Sequence, residues 1–195
     1  MKNNLKFALI LLTLFVGFQL FAASSAQAQR RDHLSELEIE IIRDVQAVDL
    51  RMEVYIKAID RRLAVLNNDL SQTKQFEKDA EKWGAPPKGS RAELLRDIEK
   101  ILDESISKID DLASRDLENK LLPVAVNILA DGANRFLPEL KTQFDKAADE
   151  MEKGAILNAV ELCNQIIEAS AKVPKLTPKE RKKIQKENNK AQESN

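Results

Sequence analysis

Apolar residues recur every three or four positions along the segment that follows the N-terminal region. The positions that carry this pattern are Leu34, Leu37, Ile41, Val45, Val48, Met52, Tyr55, Ile59, Leu63, Leu66 and Leu70. Their average step of about 3.6 residues is the α-helical period. The pattern resumes as far as Trp83, so the sequence predicts an unusually long first helix, roughly 75 Å from about Asp32 to Trp83. Such a helix either breaks near Asn67 or projects from the domain.

The next helices are delimited by proline, glycine and capping residues. Paired prolines in "GAPPKGS", residues 84–90, end the first helix. Ser90 followed by Glu93 forms a capping box and predicts a second helix that extends to roughly Asp116 or beyond. Pro123 is expected to open a third helix.

Further along, Gly132 is predicted to end or bend the third helix, and Pro138 to start the next segment. Gly154 fits a helix C-terminus or a hairpin turn. The last core helix should end near Lys172. Together these segments predict an all-α, antiparallel helical bundle of four to five helices over residues 29–173.

The two ends of the chain are predicted to lie outside this bundle. Residues 1–28 combine Lys2 and Lys6 with an apolar run and an A-x-A sequence that ends at Ala28, as a signal peptide does. We therefore expect an exported protein, periplasmic or secreted. The alternative is a retained N-terminal membrane anchor. Residues 174–195 form a basic tail that is predicted to be disordered or a frayed helix.

Charge is distributed unevenly along the chain. Residues 29–171 contain 21 basic and 29 acidic residues, a net charge of −8, whereas residues 172–195 contain eight basic and three acidic residues, a net charge of +5. The tail is therefore a candidate anion-binding segment, for lipid or cell-wall polymer rather than nucleic acid. Its candidate residues are Lys179, Arg181, Lys182, Lys183 and Lys186.

The residues that usually carry chemistry are scarce. The chain has one histidine, His33, and one cysteine, Cys163, so the ligand sets of haem and di-iron bundles cannot be assembled. We predict no catalytic residues, no metal site and no cofactor. Cys163 lies on an apolar helical face; a buried inert thiol, an intermolecular disulfide and a reactive thiol are the alternatives.

One segment resembles part of a known repeat. "EKGAILNAVELCNQIIEA", from Glu152 to Ala169, is similar to the second half of a tetratricopeptide repeat, with Gly154 at the position of the turn glycine and Ala159 at that of the small packing residue. The resemblance covers one repeat, residues 138–172. It implies a helical hairpin that takes part in binding a peptide.

Two main functional hypotheses follow from these patterns, and an enzyme that uses carboxylates alone is a third alternative. The first is a non-enzymatic exported protein that acts through protein contacts or self-association. Its interaction surface would be the beginning of the long stripe: Leu34, Leu37, Ile41, Val45, Val48, Met52 and Tyr55. The second is a binding module for a peptide or an apolar ligand, with a groove lined by Phe136, Phe144 and Met151.

Overall fold

The computed structural model describes residues 32–68 and 73–193, and the regular secondary structure within these ranges is entirely helical. The helices are α1 (Glu36–Asp44), α2 (Val48–Leu66), α3 (Thr73–Trp83), α4 (Arg91–Arg115), α5 (Leu122–Asp145), α6 (Glu150–Ser170) and α7 (Pro178–Glu193). The predicted all-α class is confirmed. The predicted signal peptide lies outside the described residues. Within the described ranges, none of the helices is both long enough and apolar enough to cross a bilayer.

Four long helices form the core. Helices α2, α4, α6 and α5 stand in a ring in which each packs extensively on the next, and the contact between α5 and α2 closes the ring. Their facing side chains make one apolar cluster, which includes the fully buried Tyr55, Ile98, Phe136 and Cys163. Helices α1 and α3 pack on each other, and α1 also packs on α2.

Consecutive core helices alternate in direction, but two of the neighbouring pairs are parallel. Cross-helix contacts fix these directions: Tyr55 to Glu104, Arg62 to Asp97, Asp60 to Arg135, Asn67 to Glu139, Arg91 to Glu152 and Glu99 to Asn158. They make α2 antiparallel to α4, and make α2 parallel to α5 and α4 parallel to α6. The parallel pairs arise because the connection from α4 to α5 crosses the ring, so the bundle is not the uniformly antiparallel one that we predicted.

The predicted long first helix is instead three helices. The break near Asn67 is present, since α2 ends at Leu66 with Asn67 as its C-cap. A second break at Val45–Ala47 was not predicted, because no glycine or proline marks it. It folds α1 back along α2, so that the Glu38 carboxylate lies 2.8 Å from the Arg62 guanidinium. In one straight helix these residues would be about 36 Å apart.

Helix α4 agrees closely with the sequence-based prediction. Ser90 is its N-cap, and both bonds of the capping box to Glu93 are formed. Its C-cap is Asp116, where the sequence placed the end of the second helix.

Helix α5 runs through both of its predicted interruptions. Gly132 neither ends α5 nor bends it into two segments. Instead, this glycine lets α2 approach closely: a Cβ at Gly132 would lie 2.9 Å from the side chain of Ile56. Pro138 removes one backbone hydrogen bond, but its ring lies on the exposed side of the helix.

The hairpin between α5 and α6 exists, but its turn is not where the sequence placed it. Helix α6 begins at Glu150, and the Asp149 carboxylate caps it by accepting a hydrogen bond from the Glu152 amide at 2.9 Å. Gly154 lies inside the helix, in open surroundings. It is therefore neither a helix terminus nor the turn glycine of a tetratricopeptide repeat.

The basic tail was predicted to be disordered or a frayed helix, and the structure shows a helix. Residues 178–193 form α7, which the bundle holds through specific contacts. Arg181 donates to Asp131 at 2.6 Å, and Gln185 donates to Asp49 at 2.7 Å. Upstream of α7, the Asn127 side chain donates to the Pro174 carbonyl and accepts from the Leu176 amide.

Candidate functional site

An apolar cleft of about 210 Å³ lies between α4, α5 and α6. Each helix contributes one pair of apolar residues spaced three apart: Ile106 and Ile109, Val126 and Leu129, Ile166 and Ala169. Residues at this spacing share one face of a helix, which is why the three pairs converge. Asp110 and Gln165 add a carboxylate and an amide to the same lining.

The size of the cleft limits what it accommodates. Pockets for drug-sized ligands usually measure about 300–1,000 Å³, whereas an apolar cavity of about 150 Å³ is enough for benzene. A cleft of about 210 Å³ therefore fits one aromatic ring or one large aliphatic side chain. The small side chain of Ala169 leaves part of this space open, since a larger residue there would fill it.

The opposite end of the bundle is closed by a polar network. Arg91 of α4 donates to the Glu152 carboxylate at 3.0 Å and to the Gln143 side chain at 2.6 Å. The Gln143 amide in turn donates to Asn67, at the end of α2. These residues join the ends of all four core helices, so hydrogen bonds hold this end of the bundle together. The apolar cleft lies at the other end of the bundle.

The structure does not bring the predicted interaction surface together as an exposed face. Leu34, Met52 and Tyr55 are buried in the core, and Met52 and Tyr55 are fully inaccessible. Ile41, Val45 and Val48 are half-buried. Of the seven residues, Leu37 alone is exposed. The fold-back of α1, together with α4 and α5, covers the stripe.

The predicted groove is not assembled either. Phe136 is completely buried inside the core, whereas Phe144 and Met151 are exposed near the turn between α5 and α6. The aromatic ring that the sequence assigned to a ligand surface is therefore a packing residue.

The residues of the predicted anion-binding tail fall into two groups. Arg181 is bound to the bundle through Asp131 and the Leu176 carbonyl. Lys179, Lys182, Lys183 and Lys186 are exposed on the far side of α7.

Cys163 is a buried thiol. It has no accessible surface, and burial raises its pKa to about 12. A thiol that stays protonated inside a core is not a nucleophile, so of the alternatives left open by the sequence the inert packing residue is confirmed.

A buried ionic cluster between α1, α2 and α4 was not predicted. The Glu38 carboxylate pairs with Arg62 through two hydrogen bonds of 3.0 and 2.8 Å, and lies 3.4 Å from Arg61. Asp97 of α4 lies 3.6 Å from Arg62. Arg61 also donates to backbone carbonyls of residues 83–85 and stacks over the Trp83 ring. The cluster ties α1 and the segment after α3 to α2, and its role is structural.

His33 is likewise engaged in a contact with the bundle. Its Nε2 lies 2.8 Å from the Glu104 carboxylate, which also accepts a hydrogen bond of 2.7 Å from Tyr55. The hydrogen bond with His33 is the main cause that lowers the pKa of Glu104. The contact holds the start of the described chain against α4.

Comparisons add nothing to this geometry. No family model matches the chain, and no curated protein or solved structure matches it. In the part of the chain that the structure describes, no group of three or more histidine, cysteine, aspartate or glutamate residues could hold a metal ion.

Proposed function

We propose that this protein is a non-enzymatic binding module that accepts one large apolar side chain of a partner protein in the cleft between α4, α5 and α6. The observation that carries the proposal is the lining of that cleft, with three apolar pairs from three helices around a space of about 210 Å³. The volume suits a single side chain better than a free drug-sized molecule. A partner segment is therefore favoured over a small-molecule cargo.

The polar residues of the lining indicate what should accompany that side chain. Asp110 supplies a negative charge and Gln165 a donor and an acceptor beside the apolar space. A partner segment with a basic residue or an indole N–H next to its apolar anchor would satisfy both groups. Self-association through the first stripe is no longer favoured, because the chain's own helices cover it.

Indole is a suitable probe, since it combines one apolar ring system with an N–H donor. We expect saturable binding to the protein, measured by titration with two-dimensional NMR. Ala169→Phe fills the cleft from an exposed position without removing core atoms, and should weaken indole binding at least tenfold.

The matched control is Ala171→Phe. Ala171 is exposed, caps the same helix and is not part of the cleft lining. Indole should bind this variant as it binds the unaltered protein. Equal loss in both variants, or an unaltered protein that shows no saturable binding, would disprove the proposed site.

We also propose that the module acts after export. The support is the order of a basic start, an apolar run and small residues in residues 1–28. N-terminal sequencing of protein recovered outside the cytoplasm should begin at Gln29; an intact Met1 would argue for a retained anchor.

A further inference from the structure

Helix α7 carries its lysines on one face. The residues concerned are Lys179, Lys182, Lys183, Lys186 and Lys190, and each of them is exposed. At about 100° per residue they fall within an arc of roughly 100° and extend over about 17 Å of helix. We call this arc the lysine face.

The opposite face of α7 is fixed to the bundle. Arg181 and Gln185 bind Asp131 and Asp49, and Ile184 packs against the apolar core. These three residues occupy an arc of about 100° on the side away from the lysine face. The orientation of the helix is thus set by its anchors, and the lysines point outward.

The helix is also preorganised at its start. Thr177 caps it, because the Thr177 hydroxyl accepts from the Glu180 amide and the Glu180 carboxylate accepts from the Thr177 amide and hydroxyl. A partner that binds the lysine face therefore does not have to supply the free energy of ordering the helix.

Within the described residues, carboxylates compensate only part of the charge of Lys179, Lys182, Lys183 and Lys186. Lys183 lies 3.9 Å from Glu187, a long contact on the exposed surface. Lys182 and Lys186 border a recess that also contains Asp49, whose second oxygen is held by Gln185. Glu180 is engaged in the cap of the helix. The face keeps a positive potential.

We propose that the lysine face docks the protein peripherally on an anionic lipid surface. A row of ammonium groups on the convex side of a helix contacts a plane, and the attraction of such a row to anionic lipid is about fivefold in affinity per lysine. Helix α7 contains no aromatic residue on which the bases of a single-stranded nucleic acid could stack. Its one large apolar residue, Ile184, faces the bundle, so the contact is electrostatic and involves no insertion.

The acidic body makes this attraction local to α7. Residues 29–171 have a net charge of −8, and an anionic surface repels them. Binding should therefore depend on the position of the lysines rather than on the total charge of the protein.

The experiment is cosedimentation of the full chain with vesicles of phosphatidylcholine, alone or mixed with phosphatidylglycerol, at low salt. The test variant is K179Q/K182Q/K183Q/K186Q. The control, K78Q/K100Q/K141Q/K146Q, removes the same charge from exposed lysines of the body. The apolar N-terminal segment is common to all three proteins, so differences among them report α7.

We expect the unaltered protein to bind the mixed vesicles more tightly than the neutral ones, and to lose this binding as salt increases. The α7 variant should bind at least a hundredfold more weakly, and the control within a few-fold of the unaltered protein. The proposal is overturned if mixed and neutral vesicles bind equally, or if both variants lose the same affinity. It is also overturned if the protein binds soluble heparin but not the vesicles.

Discussion

At the scale of single residues, the most demanding feature is a pair of adjacent arginines inside the protein. Arg61 and Arg62 are both almost completely buried, and within the described residues two guanidinium nitrogens of Arg61 and one of Arg62 lack a hydrogen-bond partner. Burial lowers the pKa of Arg61, and the nearby Glu38 carboxylate opposes this shift. Two cations in such a place are tolerable only while their carboxylate is present.

We predict that Glu38→Gln destabilises the protein strongly. The amide keeps the shape of the side chain and its cap to Ser35, but removes the one carboxylate that lies close to both arginines and leaves only Asp97, 3.6 Å from Arg62. Leaving a buried charge without its partner costs about 3–5 kcal/mol, which urea unfolding followed by circular dichroism would measure. The control is Arg135→Gln, which breaks an exposed pair with Asp60 and should cost at most about 1 kcal/mol. Equal effects would refute the assignment of Glu38.

The thiol of Cys163 gives a second prediction at this scale. Because burial raises its pKa to about 12 and leaves no accessible surface, the native protein should not react with a thiol reagent at mildly alkaline pH. Unfolding in urea should make it react at once. The same shift means that the folded state favours the protonated thiol, so stability falls as pH rises above the unfolded pKa towards 12. Rapid reaction of the native protein would contradict the burial.

At the scale of helices, two glycines inside helices have opposite surroundings. A Cβ at Gly132 would lie 2.9 Å from Ile56 of α2 and 3.3 Å from Phe136, whereas a Cβ at Gly154 would meet no atom within 4 Å. Alanine is better than glycine in a helix by about 1 kcal/mol. Whether replacing a helical glycine with alanine stabilises or destabilises the protein therefore depends on how tightly that position is packed.

We predict that Gly154→Ala stabilises the protein by about 0.5–1 kcal/mol, and that Gly132→Ala destabilises it by about 1 kcal/mol after the helical gain is subtracted from the cost of overpacking. Thermal or urea unfolding measures both. Combining Gly132→Ala with Ile56→Ala should remove the penalty, since the crowding atoms are gone. A stabilising Gly132→Ala in the unaltered background would show that α2 and α5 do not approach closely.

Helix α4 and the break between α1 and α2 show how much of the fold the apolar periodicity of the sequence predicts. It located the start of α4, because the capping box at Ser90 and the stripe agree, and it placed the end at roughly Asp116 or beyond, where the C-cap is Asp116. It missed the break at Val45–Ala47, where the apolar spacing continues without interruption. The fold-back at that break is held by a contact between Glu38 and Arg62, two residues far apart along the chain, and the local sequence pattern does not reveal that they meet.

The cleft was not predictable for a related reason. Ile109 and Ile166 belong to ordinary apolar faces, and nothing local separates a residue that lines an opening from one that fills a core. The distinction depends on the relative register of three helices and on the small size of Ala169. The groove proposed from Phe136 failed because that ring is completely buried in the core cluster that the four long helices share.

At the scale of the whole molecule, the bundle has two unlike ends. One end is held together by hydrogen bonds among Arg91, Gln143, Glu152 and Asn67. The other end carries the apolar cleft. Helix α7 packs beside α2 and α5, with Asp49 and Asp131 as its anchors. We therefore interpret the protein as a helical scaffold with the proposed binding cleft at one end and a basic helix on its flank.

The most direct test of this account is to locate a bound ring. In methyl-labelled protein with indole, nuclear Overhauser contacts from the indole protons should appear at Ile106, Val126 and Ile166, which line the cleft. They should be missing at Ile98, which is buried elsewhere in the core, and at the exposed Leu157. Contacts spread over exposed apolar residues, or none at the three cleft residues under saturating indole, would contradict the central claim.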